Sequence, residues 1–113
     1  MRNRNIYCFD LDGTLCHTVK GDYEESVPHY DRIDKVNELY DAGHRILVDT
    51  ARGSGTGLDW FSVTKDQLDR WGLKYHSLRV GRKFAADFYI DDKGMSDKDF
   101  FENQDKQMSF ALE

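Results

Sequence analysis

An apolar run of four residues, Ile6-Tyr7-Cys8-Phe9, stops at Asp10-Leu11-Asp12-Gly13-Thr14. The run is continuous in apolar side chains, rich in β-formers and closed by Gly13, which predicts a short buried strand. Two carboxylates two residues apart on an extended segment share one face and repel each other. A bound cation, or a proton held by one of them, relieves that repulsion. Open α/β sheets bind ligands at the carboxyl ends of their strands. This junction is therefore the first candidate site, and it points to metal-assisted chemistry.

The rest of the chain repeats the pattern of apolar run and polar stop. A polar loop over 15–28 contains Gly21 and ends at Pro28, the only proline. Ile33, Val36, Leu39 and Tyr40 follow at helical spacing, and Gly43 closes that helix. Ile46-Leu47-Val48 reads as a second buried strand ending at Asp49-Thr50-Ala51-Arg52-Gly53, with a flexible loop over 53–57 behind it. A second helix is expected over 64–71, with Thr64 as N-cap, Gln67 as its capping-box partner and Leu68 and Trp71 as the apolar stripe. Ser77 to Val80 is a weaker strand, and Phe88-Tyr89-Ile90 is a clear one that stops at Asp91-Asp92. A short acidic helix is expected over 97–102, and 103–113 reads as an end that can fray. Strands alternating with helices imply a mainly parallel sheet in an α/β fold, with one domain over 1–113.

Composition narrows the function. With 113 residues the chain can bury one core. Its 16 basic and 21 acidic residues give a formal charge of −5, which argues against a non-specific grip on nucleic acid. No run reaches the length of a membrane span, and the first residues lead into a strand rather than a secretory apolar core. Cys8 and Cys16 lack the spacing of a zinc or redox motif. Cys8 reads as a small buried hydrophobe and Cys16 as a loop thiol. A cytoplasmic location with no membrane partner is expected.

Three strand ends thus carry chemically capable residues, Asp10/Asp12, Thr50 and Asp91/Asp92, and in a parallel sheet such ends converge on one edge. Lys83 lies eight positions before Asp91. This ordered set resembles the four motifs of the haloacid dehalogenase superfamily of phosphatases, and it spans most of the chain. The wording of 10–16, 49–53 and 89–93, with Asp99-Phe100-Phe101, is similar to the small capless capsule or polysaccharide biosynthesis phosphatases. One departure stands out: Gly81-Arg82-Lys83-Phe84 occupies the place where that group carries Gly-Lys-Pro.

The resemblance implies a three-layer Rossmann-like fold without a large cap, and roles for each residue. Asp10 is the nucleophile that forms an aspartyl-phosphate, and Asp12 is the general acid and base. Asp10, Asp12 (through its backbone carbonyl), Asp91 and Asp92 hold Mg²⁺. Thr50 and Lys83 hold the phosphoryl oxygens, helped by the amides of Leu11 and Ala51. Arg52 is either a substrate contact or a structural ion pair. His17 reads as a solvated loop histidine, while His29, His44 and His76 have no metal-ligand spacing. Trp60, Phe61 and Trp71 read as core or subunit contacts.

The expected activity is hydrolysis of a small phosphorylated metabolite, a sugar phosphate first. The alternatives are a nucleotide or polynucleotide-end phosphatase of the same superfamily, or a non-catalytic Mg²⁺-binding or phosphoacceptor module. Receiver domains place the acidic pair on the first strand and the phosphoacceptor on a middle one, the reverse of this order. Dehalogenases lack the second Asp, and mutases need a cap to exclude water, for which 15–27 is too short. Without a cap, selectivity must come from the 15–28 flap, the 53–57 loop, or a neighbouring subunit in a homo-oligomer.

Overall fold

The computed structural model describes residues 4–102. Nine elements follow in chain order: strand β1 (Ile6–Phe9), β2 (Cys16–His17), a 3-10 turn (Tyr23–Glu25), β3 (Val27–Pro28), helix α1 (Tyr30–Asp41), β4 (Arg45–Thr50), α2 (Phe61–Arg70), β5 (Ser77–Val80) and α3 (Asp97–Glu102). The result is a small α/β domain. Its main sheet is parallel with the order β1-β4-β5, and β2 and β3 form a separate antiparallel pair. Phe9 pairs with Val48, and Thr50 with Val80. The carboxyl ends of all three long strands therefore lie along one edge, as the alternating pattern predicted.

One face of the sheet is covered. Tyr7, Phe9, Ile46 and Val48 share it by register and period-two alternation. Phe9, Ile46 and Val48 join Ile33, Val36 and Leu39 of α1, Leu68 of α2 and Phe101 of α3 in a single core. Arg32 ties α3 into this layer: its guanidinium donates to Asp97 at 2.7 Å and to the Thr14 carbonyl at 2.9 Å, and stacks on Phe101. Gly43 has φ 97° just after α1, a left-handed stop that suits glycine. Among the described residues no helix is long and apolar enough to cross a membrane.

Three expectations fail in instructive ways. β1 is not buried throughout, because Ile6 and Cys8 point to the other face and are exposed. Phe88-Tyr89-Ile90 forms no strand, and Phe88 and Ile90 are 82% and 94% exposed. Local bonds hold that segment instead: the Tyr89 hydroxyl donates to the Phe84 carbonyl, and Asp91 accepts the amides of Lys93 and Gly94. Such turn-forming side chains compete with strand ladders for the backbone. Among the described residues the edge of β1 away from β4 is unpaired. Finally, α2 begins at Phe61 with Trp60 as N-cap, so Thr64 and Gln67 form no capping box and lie buried inside the helix. The end expected to fray over 103–113 lies outside the described residues.

Candidate active site

The carboxyl end of β1 delivers Asp10, and a tight turn follows at once. The amides of Thr14, Leu15 and Cys16 all converge on the Leu11 carbonyl, at 3.1, 2.8 and 3.3 Å. Gly13 takes φ 84° to make this possible. The turn buries Leu11 and Leu15 completely and gives Asp12 partners different from those of Asp10. The two carboxylates, neighbours in sequence, end in different surroundings.

Asp10 faces Lys83, whose Nζ lies 3.6 Å from its Oδ1. Lys83 also sits 4.3 Å over the Tyr89 ring, and its carbonyl accepts the Ser54 hydroxyl at 2.6 Å. Burial pushes the Asp10 carboxyl above its ordinary value, and the charge of Asp12 pushes the same way. Lys83 and the Leu11 amide oppose this without overcoming it.

Asp12 faces Arg52. Burial alone would raise Asp12, yet hydrogen bonds from Arg52 and Thr18 hold its carboxyl below the ordinary value. Arg52 is 1% exposed, and its five N–H groups are all taken up by the protein. Nε is shared between the two Asp12 oxygens at 3.0 and 3.3 Å. One terminal nitrogen donates to Thr64 at 3.1 Å and Gln67 at 2.6 Å, and the other to Asp12 at 2.8 Å and Ser26 at 3.2 Å. Tyr23 closes the site with its ring 4.9 Å from the guanidinium carbon. Of the two readings open for Arg52, the structure places it in the ion pair. A guanidinium with every donor engaged has none left for a substrate.

The other expected residues divide. Thr50 is buried at the end of β4, and its hydroxyl accepts the Arg52 amide at 3.3 Å, which leaves its own proton free to donate. The Leu11 amide points at the Asp10 carboxylate, and Ala51 opens the turn in which its carbonyl accepts the Ser54 amide at 2.8 Å. Gly53 takes φ 82°, and a Cβ there would collide with the Leu58 carbonyl. Asp91 and Asp92 are exposed and not brought to Asp10, and the Asp91 carboxylate is spent on its own turn. Among the described residues no three His, Cys, Asp or Glu side chains gather as a metal site. The donors expected for Mg²⁺ are hard oxygens of the right kind, but this arrangement does not assemble them. Sequence reasoning missed Thr18, Tyr23 and Ser26 altogether. It also read Thr64 and Gln67 as a cap, when their three-residue spacing on one helix face suits an arginine equally well.

No protein-family model matches the chain, and no curated protein does. Solved structures do resemble it. A crystal structure of a target protein from Vibrio cholerae superposes with a TM-score of 0.78 at 25% identity, over 95% of this chain and 96% of that one. A chain of the Pnkp1/Rnl/Hen1 complex superposes with a TM-score of 0.55 at 16% identity, over 77% of this chain and 33% of that one. The second likeness is one of fold alone, over about a third of the longer protein.

The Asp12–Arg52 pair has a consequence for stability. A carboxyl lowered by folding stabilises above its unfolded-state pKa, and that contribution is lost as pH falls through the lowered folded value. Urea midpoints of the wild-type protein and Asp12→Asn should therefore differ most near neutrality and converge on acidification. A gap that stays constant into the acid range contradicts the ion pair as the source.

Proposed function

We propose that the chain is a Mg²⁺-dependent phosphomonoesterase of the haloacid dehalogenase type, with that superfamily's three-layer Rossmann-like fold. Its substrate would be a small phosphorylated metabolite, a sugar phosphate first. The observation that carries this reading is the split fate of two neighbouring carboxylates at a strand end. Asp10 faces a lysine at 3.6 Å and remains 43% exposed in its side chain, while Asp12 is clamped by a buried arginine. The two carboxylates thus stand in separate environments and can take separate roles. Asp12, held ionised at rest, takes up a proton before it gives one. Asp10, raised by burial, would be kept as the carboxylate by cationic charge beside it.

The steps follow from these positions. A carboxylate oxygen of Asp10 bonds to phosphorus as the ester P–O bond breaks, and the electron pair leaves with the substrate oxygen. That oxygen takes a proton from Asp12, which is ionised at rest and first takes that proton up from solvent or from the substrate monoanion. Water then attacks the phosphorus, gives its proton back to Asp12, and the acyl–phosphate bond breaks to return Asp10. Lys83 and Thr50 would steady the phosphoryl oxygens, as would the amides of Leu11 and Ala51.

Mg²⁺ would be held by Asp10, the backbone carbonyl of Asp12, Asp91 and Asp92, and when bound would shield the phosphate charge from the nucleophile. This requires Asp91 and Asp92 to leave their exposed places and come to Asp10, as they would if the 88–92 segment paired along the edge of β1 that is open among the described residues. Segment and edge each carry an uncovered apolar side chain: Ile6 is 65% exposed and Ile90 94%. A ligand that binds only the docked form would stabilise the protein by an amount that grows with the logarithm of its free concentration above Kd.

Purified protein should release phosphate from at least one member of a panel of sugar, nucleotide and small acid phosphates, and chelation should stop it. No release across the panel contradicts the reading. Lys83→Ala should lower kcat/KM by ~10²-fold or more, whereas Arg82→Ala should change it by less than about threefold, its charge lying off the reacting groups. The opposite order would shift the lysine motif by one residue. Mg²⁺ should raise the melting temperature of the wild-type protein, and Ile90→Lys should remove that rise. An equal rise in both proteins argues against the docked segment.

A further inference from the structure

The reaction derived above leaves two hydroxyls unused: Thr18 lies against Asp12, and Ser26 lies against Thr18 and Arg52. Thr18 Oγ1 is 2.6 Å from Asp12 Oδ1, and Ser26 Oγ is 2.6 Å from Thr18 Oγ1 and 3.2 Å from an Arg52 terminal nitrogen. Counting protons fixes the direction of these bonds. A guanidinium only donates and an ionised carboxylate only accepts. The single proton of Thr18 must go to Asp12, so the bond between the hydroxyls must use the proton of Ser26. The Tyr23 carbonyl also accepts from Ser26 Oγ at 2.8 Å, beside Gln67 Nε2 at 2.6 Å and the Ser26 amide at 3.2 Å, so the Ser26 proton is shared between that carbonyl and Thr18. The bonds therefore run one way, from Arg52 to Ser26 to Thr18 to Asp12.

This chain loads Asp12 unevenly. Oδ1 accepts from Thr18 at 2.6 Å, from Arg52 at 2.8 and 3.3 Å, and from the Cys16 thiol at 3.5 Å. Oδ2 accepts only from Arg52 Nε, at 3.0 Å. A carboxylate oxygen offers about two lone-pair sites, so Oδ1 is saturated and Oδ2 is not.

We propose that Thr18 and Ser26 are positioning residues for Asp12: with Arg52 they saturate Oδ1, so that Oδ2 carries the proton exchanged with the substrate. The inference rests on the acid–base role proposed for Asp12 and names the residues that aim it. It also changes the meaning of the 15–28 segment. Thr18 follows β2 and Ser26 precedes β3, so both arms of this loop are fastened to the acid. The segment is part of the catalytic scaffold rather than a free lid, because lifting it would release Asp12.

Thr18→Val keeps the side-chain volume and removes the hydroxyl, Thr18→Ser restores it, and Ser26→Ala breaks the chain one bond earlier. Each is assayed with Mg²⁺ on phenyl phosphate, whose poor leaving group needs the proton, and on p-nitrophenyl phosphate, whose leaving group needs it far less. For Thr18→Val, kcat/KM on phenyl phosphate should fall about tenfold and on p-nitrophenyl phosphate less than about threefold. Ser26→Ala should show the same asymmetry, and Thr18→Ser should restore both substrates. An equal fall on both esters, or no change on either, overturns the proposal while leaving the phosphatase reading intact. Ser26→Ala carries the same test if Thr18→Val does not fold. No turnover of either ester by the unaltered protein, together with none across the wider panel, overturns the phosphatase reading and this proposal with it.

Discussion

A guanidinium with no access to water holds this molecule together. Burying an unpaired charge costs several kcal/mol at least, so Arg52 can exist only where every N–H finds an acceptor. Those acceptors come from four places in the sequence: Asp12 after β1, Ser26 before β3, and Thr64 and Gln67 on α2. The loop after β4 therefore cannot take this shape unless the first turn, the 15–28 segment and α2 all arrive in register. Removing one partner would leave a charge without compensation, while the apolar core supplies no such directional demand.

The same demand separates two carboxylates that sequence places side by side. Asp12 is bound into the arginine cluster and is ionised at rest. Asp10 is left on the strand end with one lysine and a backbone amide against the cost of its burial. The loss of water around Asp10 is what makes a neighbouring cation favourable there. The fold thus sets the two acids apart, with Arg52 against one of them and Lys83 against the other.

Much of this was legible beforehand, because apolar runs and their polar stops are local signals. β1, β5 and α3 lie where periodicity placed them, at Ile6–Phe9, Ser77–Val80 and Asp97–Glu102. The nearness of Lys83 to Asp10 also follows from strand order. What could not be read was tertiary choice. Phe88-Tyr89-Ile90 has a strand's composition, but composition does not say whether the ladder or the turn bonds of Tyr89 and Asp91 prevail. Thr64 and Gln67 fit a capping box by spacing, and only a buried arginine beside them shows why they are inside the helix. Thr18 and Ser26 carry no sequence signal at all, since a hydroxyl in a polar loop is ordinary until something charged lies against it.

In the mechanism proposed above, a carboxylate oxygen of Asp10 takes the phosphoryl group. Slowing the return step is the direct way to see it, and Asp12→Asn should do so by removing the base that activates water. Incubated with Mg²⁺ and an activated phosphoryl donor such as p-nitrophenyl phosphate, then quenched in acid, this variant should gain the mass of one phosphoryl group. Borohydride reduction should place the label on Asp10. A label on another residue, or none on a protein that still hydrolyses phosphomonoesters, would contradict the mechanism.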